Sequence, residues 1–123
     1  MRWITLIGDE SLCLDTIKKI EFYGSISRYE VTGIRNRYCV DYGNDHMFYD
    51  YLGDSVGDYD EQDLKIIPFH KPHFIMIVYT SRERMNIVLK QNNFPKGIYV
   101  DNGNGHIIPI EELIELEMPL DSL

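Results

Sequence analysis

The chain reads as a single α+β domain built from two β-α-β-β units, and three observations lead there. The heptapeptide VDYGNDH at 40–46 returns as VDNGNGH at 100–106, with five of its seven positions identical. Two short apolar runs, WITLI at 3–7 and FIMIV at 74–78, have the length and composition of buried strands. Each run leads at the same distance into a helix-start signal: Asp9 after the first, and Thr80, with Glu83 three residues on, after the second. The expected architecture is a mixed sheet with two main helices packed on it. The first unit occupies 1–67, a connector with two prolines 68–73, and the second unit 74–118.

Taken in order, the strand at 3–7 precedes a helix over 10–22, capped by Asp9, with Leu12, Cys13, Ile17 and Ile20 on one side. ISRYEVTG at 26–33 reads as an inserted strand, replaced in the second unit by the tight turn FPKG at 94–97. A second main helix is expected over 81–92, capped by Thr80, with Met85, Val88 and Leu89 inward. Short helices should close each unit: 60–66, capped by Asp58, and 110–116, with Pro109 suited to its first turn.

The doubled motif has the chemistry of a hairpin turn. Gly-Asn is a two-residue loop in which Gly supplies the positive φ that the first central position demands. With Gly43-Asn44 and Gly103-Asn104 at the tips, Asp41 faces His46 and Val40 faces Met47. In the second copy Asp101 faces His106 and Val100 faces Ile107. Extending the first hairpin sets Cys39 against Phe48, Tyr38 against Tyr49 and Arg37 against Asp50, and a one-residue slip would break all of these pairs together.

The same residues also suggest chemistry. If the two tips met, Asp41, His46, Asp101 and His106 could form a carboxylate–imidazole cluster of the kind that holds zinc or iron. The H-x-x-H of His70 and His73 is interrupted by a proline and lies in the connector, so no metal site is assigned. The helix start at Thr80, Ser81 and Arg82 could receive an anion, but no glycine-rich loop accompanies it. GDES at 8–11 and GND at 43–45 loosely resemble two blocks of the SGNH hydrolases. Glu10 separates Asp9 from Ser11, and no D-x-x-H follows near the C-terminus, so the resemblance implies no serine site.

Composition narrows the partners. Twenty Asp and Glu against twelve Lys and Arg give a net charge of -8, which repels nucleic acid and anionic membrane. No run of about 18 apolar residues is present to span a bilayer. Two distant cysteines fit no zinc or redox spacing and suit a reducing, cytoplasmic setting. The stretch DYLGDSVGDYDEQD at 50–63 is acidic without one basic residue, and its carboxylates do not follow calcium-loop spacing.

Asp50, Tyr51, Asp54, Asp58, Tyr59, Asp60, Glu61 and Asp63 are therefore the expected contact surface. There, acids would steer a basic protein and tyrosines would supply rigid area. The expectation is a small binding protein, inhibitory or adaptor-like, with no cofactor and no catalytic activity of its own. A ligand-sensing cleft between the units, drawing on Thr80, Arg82, Asp41, His46, Asp101 and His106, is the alternative, and a metal-dependent enzyme built on the Asp–His pairs ranks below both.

Overall fold

Segments rich in β-branched and aromatic residues pair into one seven-stranded sheet. A computed structural model describes residues 2–54, 59–102 and 106–116. Chain order is β1 (Arg2–Gly8), α1 (Leu14–Lys18), β2 (Ser27–Glu30), β3 (Arg37–Asp41), β4 (His46–Gly53) and α2 (Glu61–Ile66). There follow β5 (His73–Tyr79), α3 (Arg82–Leu89), β6 (Tyr99–Asp101), β7 (Ile107–Pro109) and α4 (Ile110–Glu115). The fold is α+β, with strand order β2-β3-β4-β5-β1-β6-β7.

Every pairing is antiparallel, which corrects the expected mixed sheet. A parallel neighbour requires a crossover of a dozen or more residues that packs back beside its parent strand. Here β1 and β5 take each other instead, from Arg2 opposite Tyr79 to Gly8 opposite His73. β2 goes to the far edge against β3, and β6 lies against β1.

The strand order also departs from the expected repeat symmetry. One hairpin flanks each side of the central pair, but β4, the second strand of its hairpin, lies inside on one side. On the other side β6, the first strand of its hairpin, lies inside. A twofold exchanging β1 and β5 would need the same strand inside on both sides.

The first hairpin has the predicted register throughout, from Asp41 opposite His46 to Arg37 opposite Asp50. Gly43 adopts φ +92°, as the turn requires, and Asp41 Oδ1 accepts its amide at 2.8 Å. The second hairpin is one residue out: Asp101 faces Ile107 and Val100 faces Ile108. The Asn102 amide donates to the His106 carbonyl at 3.2 Å, and the expected tip, Gly103-Asn104, lies outside the described residues. The expected Asp101–His106 pair does not form. This copy has Gly105 where the first has Asp45, and thus lacks the carboxylate that ties the first turn to Arg84 at 3.1 Å.

The helices are shorter than the apolar pattern suggested. Asp9 does not cap one; its carboxylate accepts the Ser11 amide and hydroxyl, and Leu12 donates back to its carbonyl at 3.1 Å. This tight turn delays α1 until after Cys13, and Phe22 at φ +49° turns the chain away beyond it. Gly8 permits the turn, because a Cβ there would stand 3.0 Å from Leu12 Cβ. Ser81, one residue later than expected, caps α3 by accepting the Arg84 amide at 3.1 Å. Asp60 caps α2; Asp58, the expected cap, lies outside the described residues.

Three helices rather than two pack on the main face of the sheet. Ile17 of α1, Met85, Val88 and Leu89 of α3, and Ile110 and Leu113 of α4 join Leu6, Val40, Met47, Tyr49, Ile75 and Ile77 in one core. A smaller cluster lies on the opposite face. There Ile7, Phe74 and Ile107 are covered by the 59–69 segment through Tyr59, Leu64, Ile67 and Phe69.

Candidate binding face

The cover on that second face is partial. Strand alternation sends every second residue to it, and pairing aligns those residues into cross-strand rows. One row runs across five strands: Tyr29 opposite Cys39, Cys39 opposite Phe48, Phe48 opposite Val78, and Val78 opposite Trp3. Its two ends are open, with Trp3 44% and Tyr29 48% exposed. Between them Phe48 and Val78 are half-buried and Cys39 is buried. With strands about 4.8 Å apart, the row is roughly 19 Å wide.

Rows that are polar apart from Met76 border it on both sides. On one lie Ser27, Asp41 and His46; on the other Arg37, Asp50, Met76, Thr5 and Asp101. Arg37 holds Asp50 through two hydrogen bonds, Nε to Oδ1 at 2.6 Å and Nη2 to Oδ2 at 2.8 Å. This carboxylate raises the pKa of the guanidinium, whose carbon lies 4.9 Å over the Phe48 ring. His46 meets the same ring edge-on at 5.1 Å. Phe48 is thus gripped from both borders, with the Arg37 guanidinium lying over the middle of the row.

The residues nominated from the acidic stretch divide. Asp50 is bound to Arg37. The Tyr51 hydroxyl meets His73 Nδ1 at 2.9 Å, and its ring packs against the main core. Tyr59 stacks on Phe74, with centroids 5.1 Å apart and planes 16° apart, and donates its hydroxyl to Asp101 Oδ2 at 2.8 Å. Burial, then the Asp101 carboxylate, pushes its phenol pKa upward. These tyrosines hold the sheet rather than present themselves. Asp54, Asp60 and Glu61 are exposed and Asp63 is half-buried; Asp58 lies outside the described residues.

The second nominated group is only partly assembled. Thr80 and Arg82 line an open depression of about 500 Å3 with Arg2, Tyr79, Ser81 and Glu83. The Thr80 hydroxyl accepts the His46 amide at 3.2 Å, fastening the first hairpin to the end of β5. Both hairpins point to the same end of the sheet, because β3 and β6 both run antiparallel to their inner-core neighbours in the same sense. Even so, β5 and β1 lie between His46 on β4 and Asp101 on β6, and the two residues stand in rows four residues apart along the strands, a separation of roughly 20 Å at ordinary sheet spacings. Ligands of one zinc ion must each come within about 2 Å of it, so these pairs do not share one. Among the described residues, no group of three or more His, Cys, Asp or Glu is placed to hold a metal ion.

Trp3, Tyr29, Phe48, Met76 and Val78 were not singled out from the sequence, although a signal was present. WITLI and FIMIV are apolar at every position but Thr5, and MFY at 47–49 is apolar on both faces of its strand. Strands of that kind need a cover on each side, and too few helical segments follow to supply two. No helix among the described residues is long and apolar enough to cross a membrane. The chain matches no family model, and no curated protein or solved structure matches it significantly.

Proposed function

We propose that the protein acts by contact, as a small inhibitory or adaptor protein that binds a basic protein partner and performs no chemistry of its own. The observation that carries this reading is the row Tyr29–Cys39–Phe48–Val78–Trp3, exposed at its two ends, on the part of the second face that the 59–69 segment does not cover. Aromatic anchors with an apolar centre and polar rim are the usual make-up of a binding patch. The Asp41 carboxylate on one border, and the chain's net charge of -8, favour a partner of opposite sign. Exposed Asp54, Asp60 and Glu61 add to the steering field.

The test is capture from the native lysate with three baits: the unaltered chain, a chain carrying Asp54→Asn, Asp60→Asn and Glu61→Gln, and a Tyr29→Lys chain. A basic protein should be held by the first at low salt, released at high salt, and weakly held by the other two. Equal retention on all three baits at both salt concentrations, or three empty lanes, would contradict the reading.

The depression lined by Arg2, Thr80, Ser81 and Arg82 supports a second reading, a sensor of small anionic ligands. Such a ligand should raise the unfolding free energy by about 2.7 kcal/mol at a hundredfold excess over its dissociation constant. A thermal-shift series with phosphate and small carboxylates separates the two readings.

A further inference from the structure

We propose that β2, the open edge of the sheet, pairs with β2 of a second copy of the chain, antiparallel about a twofold axis at Tyr29, to give a reversible dimer whose sheet is continuous through both copies. The inference goes beyond the contact reading and does not depend on the identity of a partner.

A sheet edge carries unpaired backbone donors and acceptors, and proteins commonly blunt it. The two edges of this sheet differ. At β7 the Asn102 amide donates to the His106 carbonyl at 3.2 Å, so ladder alternation turns the backbones of Ile107 and Pro109 outward. Proline has no donor, and Ile107 is covered by the 59–69 segment. At β2 the Val31 amide donates to the Arg37 carbonyl at 3.0 Å. By the same alternation Tyr29 and Ser27 turn their backbones to β3, and Arg28 and Glu30 turn theirs outward. Each of these two offers an N–H and a C=O, and among the described residues no strand lies on that side. An edge of that kind is completed by another β-strand.

Symmetry and charge select a second copy and its register. Outward residues must oppose outward residues, which leaves three central arrangements about a twofold axis. Arg28 opposes Arg28, or Glu30 opposes Glu30, or Arg28 opposes Glu30 with Tyr29 on the axis. The first two set like charges directly across from each other, which is destabilising. The third forms an Arg28–Glu30 pair on each side of the axis, each pair exchanging both of its backbone hydrogen bonds. Within its own chain the Arg28 guanidinium is tied to the Lys18 carbonyl at 2.6 Å and the Tyr38 hydroxyl at 3.1 Å, and Glu30 is tied to Lys18 at 2.7 Å. These contacts hold both side chains beside the edge, so their charges choose the register while the backbone supplies the attraction.

Tyr29 agrees with that choice. It points to the other face and is exposed. On the axis it meets Tyr29 of the second copy in a pair without backbone hydrogen bonds, where side chains approach most closely. The row from Trp3 to Tyr29 then runs on into the second copy. In the like-charge registers Tyr29 would oppose Ser27 or Val31 instead.

The acidic excess of the chain lies away from this edge. Between residues 18 and 37, Lys18, Lys19, Arg28, Arg35 and Arg37 stand against Glu21 and Glu30. The repulsion between two copies therefore acts over a distance, and salt screens it beyond about 10 Å at 0.1 M. So short an interface makes a weak dimer, of the class that buries less than about 1,200 Å2.

Sedimentation equilibrium over a concentration series measures the dimer, and amide exchange followed by NMR locates it. The Arg28 and Glu30 amides should exchange at least about tenfold more slowly in concentrated than in dilute solution. Glu30→Pro removes an outward donor that the folded monomer does not use. It should weaken the dimer at least about tenfold with little change in the urea midpoint. Glu30→Arg, which sets an arginine opposite Arg28, should weaken it by about the same factor.

A chain that stays monomeric up to about 1 mM would overturn the inference. A dimer that leaves the Arg28 and Glu30 amides unprotected would show that another surface associates, whether or not the proline variant folds. Equal dimerisation of a folded Glu30→Pro chain would show the same, and equal dimerisation of Glu30→Arg would overturn the register.

Discussion

The hydroxyl of Tyr59 donates to Asp101 Oδ2 at 2.8 Å, joining two residues 42 positions apart in the chain. This bond fastens one end of the segment that covers part of the second face of the sheet. Tyr59 brings its segment over Phe74, Ile7 and Ile107. Beyond Thr5 the sheet lies open. The acidic stretch is therefore an anchored flap at its C-terminal end, and the open area lies beside it.

Replacing Tyr59 by Phe keeps the ring on Phe74 and removes the donor to a carboxylate. A hydrogen bond to a charged group is worth about 1.5–3 kcal/mol, so Tyr59→Phe should lower the unfolding free energy by roughly 1–2 kcal/mol after relaxation. A urea titration checks this, with the midpoint falling and the slope unchanged.

The Arg37–Asp50 pair is bidentate and partly buried, with side-chain exposures of 28% and 14%. Such a pair exceeds the exposed salt bridges, which contribute about 0–1 kcal/mol. Asp50→Asn should cost about 1 kcal/mol or more, and a double-mutant cycle with Arg37→Gln should return a coupling of about 1 kcal/mol. A coupling near zero would show that the two side chains act independently.

Alkaline pH should unfold the protein by a definite route. Burial pushes the Tyr42 phenol up to about 12 and raises Tyr49 well above its ordinary value; Tyr59 is raised by burial and then by Asp101. The folded state holds these protons more tightly than the unfolded chain. The stability they contribute is fully present below pH 10 and is lost as pH climbs from the ordinary phenol value through the raised one. The loss is about 1.4 kcal/mol per pH unit for each such tyrosine. Phenolate absorbance at 295 nm should rise in two stages, exposed tyrosines first and the buried ones together with unfolding. A single smooth titration of all nine tyrosines near pH 10 would contradict the buried assignment.

The first hairpin was legible because its register is over-determined. Arg37–Asp50, Tyr38–Tyr49 and Val40–Met47 all fail on a single slip, and Gly43 fixes the turn. The second motif has nearly the same letters and a different register, with Gly105 where the first copy has Asp45, and its Asp101 accepts from Tyr59. That partner is distant in sequence, and no local pattern announces it. The helix starts slipped for a similar reason. Asp9 and Thr80 had the right chemistry for caps, but Asp9 closes a turn on Ser11 and Thr80 is drawn to His46 of another strand.

The cross-strand row stayed hidden because it belongs to no segment. Its members come from β1, β2, β3, β4 and β5, and only the strand order aligns them. An acidic run can be seen in one line of sequence; a row of single residues from five strands cannot. The tyrosines that made the acidic run look like a contact surface, Tyr51 and Tyr59, are spent on His73 and Asp101.

The most direct measurement is acrylamide quenching of Trp3, in the purified chain and again with the captured basic partner at saturation. An open binding face predicts ready quenching in the free chain, as suits a tryptophan 44% exposed, and strong protection in the complex. A Trp3 already shielded in the free monomer, or equally quenched with the partner bound, would contradict it.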